Sequence, residues 1–111
     1  MKPKESEKTL EARLVREIEA RGGMALKYTS QYHRGIPDRI ILMPYGRIYF
    51  VELKSTGKKP TKLQAHAITE INSLGFPAWI IDNTAELERL LLCIDNEQRQ
   101  FDNMFSKPLT V

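Results

Sequence analysis

The chain reads as an α/β protein, and three observations predict it. Apolar residues recur at helical spacing in three separate stretches, short β-rich runs lie between them, and turn residues mark the junctions. At 111 residues it is one domain, large enough for a modest core and too short for two. The order α-β-β-β-α-β-α implies a mixed sheet of about four strands with helices on both faces.

Each element follows from its residues. Leu10, Leu14, Val15 and Ile18 predict a first helix over residues 5–21, stopped by Gly22-Gly23. Residues 24–29 form a short strand and residues 31–35 a polar loop. Pro37 opens a second strand reaching Met43, where its missing N–H does little harm. Pro44-Tyr45-Gly46 is a turn, so residues 47–54 return as the antiparallel partner. Thr61 and Gln64 have capping-box spacing before a helix with Leu63, Ala67, Ile68, Ile71 and Leu74 as its stripe, ended by Gly75. Residues 77–82 are nearly all apolar and read as an interior strand. Asn83 and Glu86 open a last helix running to about Cys93. Residues 1–94 are thus the domain. Residues 95–111 read as a tail, disordered or contacting a second copy through Phe101, Met104 and Phe105.

Composition narrows the class. With 41% apolar and 28% charged residues the chain is an ordinary globular protein, not a disordered one. No apolar stretch approaches the ~20 residues of a membrane span, and the opening MKPKESEKTLEARL is not a secretory signal. Cys93, alone, excludes an internal disulfide and reads as a buried small hydrophobe. The cytosol, or the cytoplasm of an infected cell, fits best. The net charge of +3 is mild, but Lys54, Lys58, Lys59 and Lys62 crowd into a flexible loop suited to phosphate contact.

The chemistry concentrates in Gly35-Ile36-Pro37-Asp38-Arg39 and in Phe50-Val51-Glu52-Leu53-Lys54. Alternate strand residues share a face, so Glu52 and Lys54 sit roughly 6–7 Å apart on one side. If the two runs pair, Asp38 comes beside them. Carboxylate oxygens suit Mg²⁺ or Mn²⁺, and a bound divalent ion acidifies water and polarises a phosphate. Asp38, Glu52 and the backbone carbonyl of Leu53 are the candidate metal ligands, with Lys54 placed to orient water and offset negative charge. Glu11 shares the apolar face of the first helix and is either a further ligand or, at the flank, bent towards solvent or paired with a basic side chain. Gln64 either hydrogen-bonds water or phosphate at the site or serves only its cap. Lys27, Tyr28, Ser30, His33 and Arg34 lie just before the Pro37-Asp38 strand, Lys27 and Arg34 being the candidate phosphate contacts. Neither His33 nor His66 has a second imidazole at ligand spacing, and Trp79 reads as core.

A helical glutamate, then G-I-P-D-R-I-I-L, F-V-E-L-K, a G-K-K-P-T loop and L-Q resembles the virus-type replication-repair nuclease (VRR-NUC) domain of the PD-(D/E)XK superfamily. The resemblance spans residues 7–82 and finds every core position filled. It implies a restriction-endonuclease-like core and a Mg²⁺- or Mn²⁺-dependent DNA endonuclease that leaves a 5′-phosphate. It also implies that Asp38 and Glu52 hold metal, that Lys54 is the catalytic lysine, that Glu11 is the helix-borne acid with Glu7 its rival, and that Gln64 is the glutamine after the catalytic strand. Small stand-alone members resemble phage proteins acting as homodimers on branched DNA, in resolvase-like roles in replication, recombination or repair. A two-fold pair would present two sites and double the basic surface.

Two other classes stand beside that expectation. One is a non-catalytic nucleic-acid-binding module using the lysine loop alone. The other is a small interaction subunit whose carboxylates are mere surface charges.

Overall fold

A computed structural model describes residues 4–30 and 34–105. His33 and the stretch from Ser106 onward, both read in the sequence, lie outside the described residues. The elements run α1 (Glu7–Ala20), β1 (Met24–Lys27), β2 (Arg39–Met43), β3 (Arg47–Leu53), α2 (Lys62–Ser73), β4 (Ala78–Ile81) and α3 (Thr84–Phe105). The predicted order holds, with strand ends trimmed by a residue or two.

The sheet order is β1-β2-β3-β4. The first two pairings are antiparallel, and β3–β4 is parallel because α2 carries the chain back across the sheet. One core holds the molecule together. Leu10, Leu14 and Ile18 of α1 and Leu87, Leu90, Leu91 and Ile94 of α3 pack on Ile41, Met43, Tyr49, Val51, Leu53 and Ile81. These strand residues alternate with Ile40, Leu42, Phe50 and Glu52, so period 2 sends the latter set to the opposite face. There α2 packs on β4 and buries Ala67. Helices therefore flank both faces, as expected.

Three expectations need correction. Among the described residues the β4 strand is an edge, not an interior strand, and its one strand partner is β3. Its apolar run reflects cover by α2 on one face and α3 on the other rather than two strand neighbours. Cys93 is exposed, because the buried stripe of α3 passes through Leu90, Leu91 and Ile94 and leaves Leu92 and Cys93 outward. The third difference is the length of α3, which continues past Cys93 to Phe105.

Residues 95–105 are helical because they have somewhere to dock. Phe101 stacks on Tyr45 at 5.4 Å between ring centroids, and Phe105 stacks on Tyr45 at 5.5 Å. Buried Arg47 donates to the carbonyl of Ile94, to Tyr49 Oη and to Gln98, while Tyr49 donates to Glu97 at 2.6 Å. Burial, aided by the Glu97 hydrogen bond, raises the Tyr49 phenol above its usual range. The helix thus reaches back to the β2–β3 turn with its polar groups satisfied.

Candidate active site

The candidate residues meet at one end of the sheet, where β2 begins and β3 ends. Gly35 governs that approach. Its φ is +86°, and a Cβ there would lie 2.5 Å from the carbonyl carbon and oxygen of Leu63 and 2.8 Å from Gln64 N. Only glycine lets this loop lie so close to the first turn of α2. Pro37 is fully buried behind it, and Asp38 follows, its carbonyl accepting from Tyr28 N at 2.7 Å.

Glu52 faces the side of β3 opposite the main core, 8% exposed. Its carboxyl is pushed up to about 7, first by burial and next by the charge of Asp38. Lys54 and the backbone N–H of Asp38 oppose that rise without cancelling it, and Glu7 adds to it. Lys54 Nζ lies 4.0 Å from Glu52 Oε2. Lys54 sits just past β3, but its N–H still donates to Ile81 O at 2.9 Å, so β4 fixes its backbone.

The loop after Lys54 is strapped from three directions. Thr56 N donates to Glu5 O, and Glu5 N donates back to Thr56 Oγ1, both at 2.9 Å. Thr56 Oγ1 donates to Asp82 O at 2.7 Å. Glu7 N donates to Ser55 Oγ at 3.1 Å, which brings the first turn of α1 against the end of β3. The Glu5 carboxylate accepts from the hydroxyl and N–H of Thr84, capping α3, and those two hydrogen bonds hold its pKa below the ordinary value.

The other predicted residues divide. Gln64 performs the capping box: its Oε1 accepts from Thr61 N at 2.9 Å and its N–H donates to Thr61 Oγ1 at 3.1 Å. On the side chain this capping box engages the amide oxygen. Glu11 is ion-paired, at 3.1 Å from Arg39 Nη2 and 3.9 Å from Lys27 Nζ. Of the two readings of Glu11, pairing with a basic side chain is the arrangement found. Lys58, Lys59, Lys62 and Arg34 are all exposed.

Sequence reasoning passed over Arg39, Glu5 and Ser55–Thr56. A signal existed for Arg39: it shares the strand face of Ile41 and Met43, and a cation aimed at a core needs a partner. The strap left no signal, because it joins residues that only the fold makes neighbours.

Among the described residues no three His, Cys, Asp or Glu side chains converge closely enough to hold a metal by themselves. Two carboxylates, a strand carbonyl and open coordination positions nevertheless fit a hard cation such as Mg²⁺, which keeps several waters and shares substrate phosphates. The mutual repulsion of Asp38 and Glu52 is what such a cation would relieve.

The fold defines a small α/β domain with the architecture of a VRR-NUC nuclease. No family model matches the sequence. A solved structure described as "VRR_NUC domain" superposes with a TM-score of 0.72, covering 78% of this chain and 96% of that one at 22% identity, a likeness of fold. A protein of Acyrthosiphon pisum secondary endosymbiont phage 1, described as "Putative nuclease p44", is 39% identical over 77 residues, 69% of this chain and 83% of that protein. The chain belongs to the VRR-NUC nuclease family, as a small phage-type member.

Proposed function

We propose that this protein is a divalent-metal-dependent DNA endonuclease, acting on branched DNA in phage replication, recombination or repair within the host cytoplasm. The observation that carries the reading is the Asp38–Glu52–Lys54 cluster. A carboxylate raised to about 7 by burial and then by a second carboxylate, with an ammonium 4.0 Å away, is costly unless it serves a ligand.

Asp38, Glu52 and the Leu53 carbonyl would hold Mg²⁺ or Mn²⁺, which when bound acidifies water and polarises the scissile phosphate. Lys54 would orient the attacking water and donate to the phosphoryl oxygen where charge develops. The Gln64 amide nitrogen, which the capping box does not engage, would be a second donor. Lys58, Lys59, Lys62 and Arg34 would hold flanking phosphates. We assign the helix-borne acid to Glu7 rather than Glu11, since Glu7 acts on Glu52 and lies beside Ser55, whereas Glu11 is engaged by Arg39. Exposed Met104 and Phe105 at the end of α3 are candidates for contact in a homodimer.

The test is a cleavage panel of four-way junction, flap, nicked duplex and plain duplex with Mg²⁺ and Mn²⁺, beside a measurement of oligomeric state. Junction cutting by a dimer supports the reading. Salt-sensitive DNA binding without cleavage in either metal would favour a binding module instead.

A further inference from the structure

Glu7 and Glu11 stand one turn apart on α1, so the direction of one fixes that of the other. The leucine–isoleucine stripe seats α1 on the sheet, yet apolar packing alone is non-directional. Directional contacts reach α1 from α3, through Arg13–Glu88 and Arg21–Asp95, and from the sheet through Arg39, whose side chain is 11% exposed. Its Nη1 donates to Ala25 O at 3.1 Å in β1, and its Nη2 lies 3.1 Å from Glu11. Its Nε is buried and has no hydrogen-bond partner among the described residues. Pulling Glu11 away toward a metal would leave that buried guanidinium with one bonded nitrogen, an expensive state. Arg39 also follows Asp38 directly, so the strand start that presents one acid grips the helix that presents another.

We propose that Arg39 is a positioning residue for the site: its ion pair with Glu11, reached across β1, fixes the rotation of α1 that turns Glu7 toward Glu52. Glu11 belongs to this clamp and not to the metal. The inference rests on the nuclease reading above and adds to it how the third acid is held.

The two roles open to Glu11 predict opposite signs. If Glu11 were a ligand, Arg39→Met would free its carboxylate and tighten Mn²⁺ binding, while Glu11→Gln would weaken it. A clamp requires both substitutions to weaken it, each about 10-fold, the range found for groups that orient ligands. The double variant should be no weaker than the worse single one, because both remove the same ion pair. The experiment is a DNA-free Mn²⁺ titration of wild type, Glu11→Gln, Arg39→Met, the double variant and Glu7→Gln, with folding checked by urea denaturation. Arg39→Lys, which keeps the charge but not the two-pronged reach, replaces Arg39→Met if that variant unfolds. Tighter binding on loss of Arg39, no change in either single variant, or multiplying effects would overturn the clamp. Wild type that binds Mn²⁺ but cuts no DNA would sink the nuclease reading, and the titration would still judge the clamp.

Discussion

Lys54 Nζ stands 4.0 Å from Glu52 Oε2, yet Glu52 remains raised to about 7. One ammonium fails to offset burial and the neighbouring charge of Asp38. The site therefore has an unmet need for positive charge, and its pH behaviour should report it.

Without metal, folded Glu52 binds its proton near pH 7 while the unfolded residue releases it near 4.5. Between those values native Glu52 holds more proton, so its contribution to stability falls as pH rises through that window and is flat on either side. The full change is about 3 kcal/mol at most. Urea midpoints of metal-free protein from pH 4.5 to 8 should decline, and Glu52→Gln should flatten the curve. Mn²⁺ must displace the same proton, so its apparent affinity should drop about tenfold per pH unit below 7. A pH-independent affinity would contradict the assignment of Glu52.

Asp38→Asn and Lys54→Met should separate holding from chemistry. Both should lower kcat by at least about 10²-fold, since each removes a group acting at the developing charge. Asp38→Asn should also weaken Mn²⁺ binding, whereas Lys54→Met should leave it intact. Calorimetric titration beside single-turnover cleavage distinguishes them, and wild-type cutting by either variant would refute the site.

Gly35→Ala places a methyl 2.5 Å from the backbone of Leu63 at a φ of +86°. The loop must retreat from α2 and carry Asp38 with it. We expect a loss of about 2–4 kcal/mol in unfolding free energy, with cleavage reduced beyond what lost folding explains. Unchanged stability would mean the loop does not need this close approach.

Replacing Lys58, Lys59 and Lys62 together with alanine should act on binding alone. DNA KM should rise while kcat holds. The slope of log affinity against log salt should shrink by roughly 3, about one for each phosphate no longer neutralised. An unaltered salt slope would assign these lysines to solvent.

Much of this was legible in the chain. Alternation placed Glu52 opposite the face of Val51 and Leu53, and the turn at Pro44-Tyr45-Gly46 paired β2 with β3, which brings Asp38 to the right end of the sheet. Local rules suffice there because the residues are close in sequence. They failed for β4 because a strand sandwiched between helices has the same apolar composition as one between strands. They left Glu11 open between two readings because an acid on an apolar face looks alike whether a cation or a metal neutralises it. The far half of α3 was missed because it is polar on three sides and depends on Tyr45 and Arg47, some fifty residues earlier.

The parallel pairing of β3 with β4 sets when the site can exist during synthesis. Glu52 and Lys54 emerge midway along the chain, but the Lys54 N–H has no acceptor until Ile81 arrives, and Glu5 has no helix to cap until Thr84 does. A fragment ending before those residues would carry Asp38, Glu52 and Lys54 without these two contacts. The cluster near the middle of the chain thus depends for its backbone support on residues made in the last third.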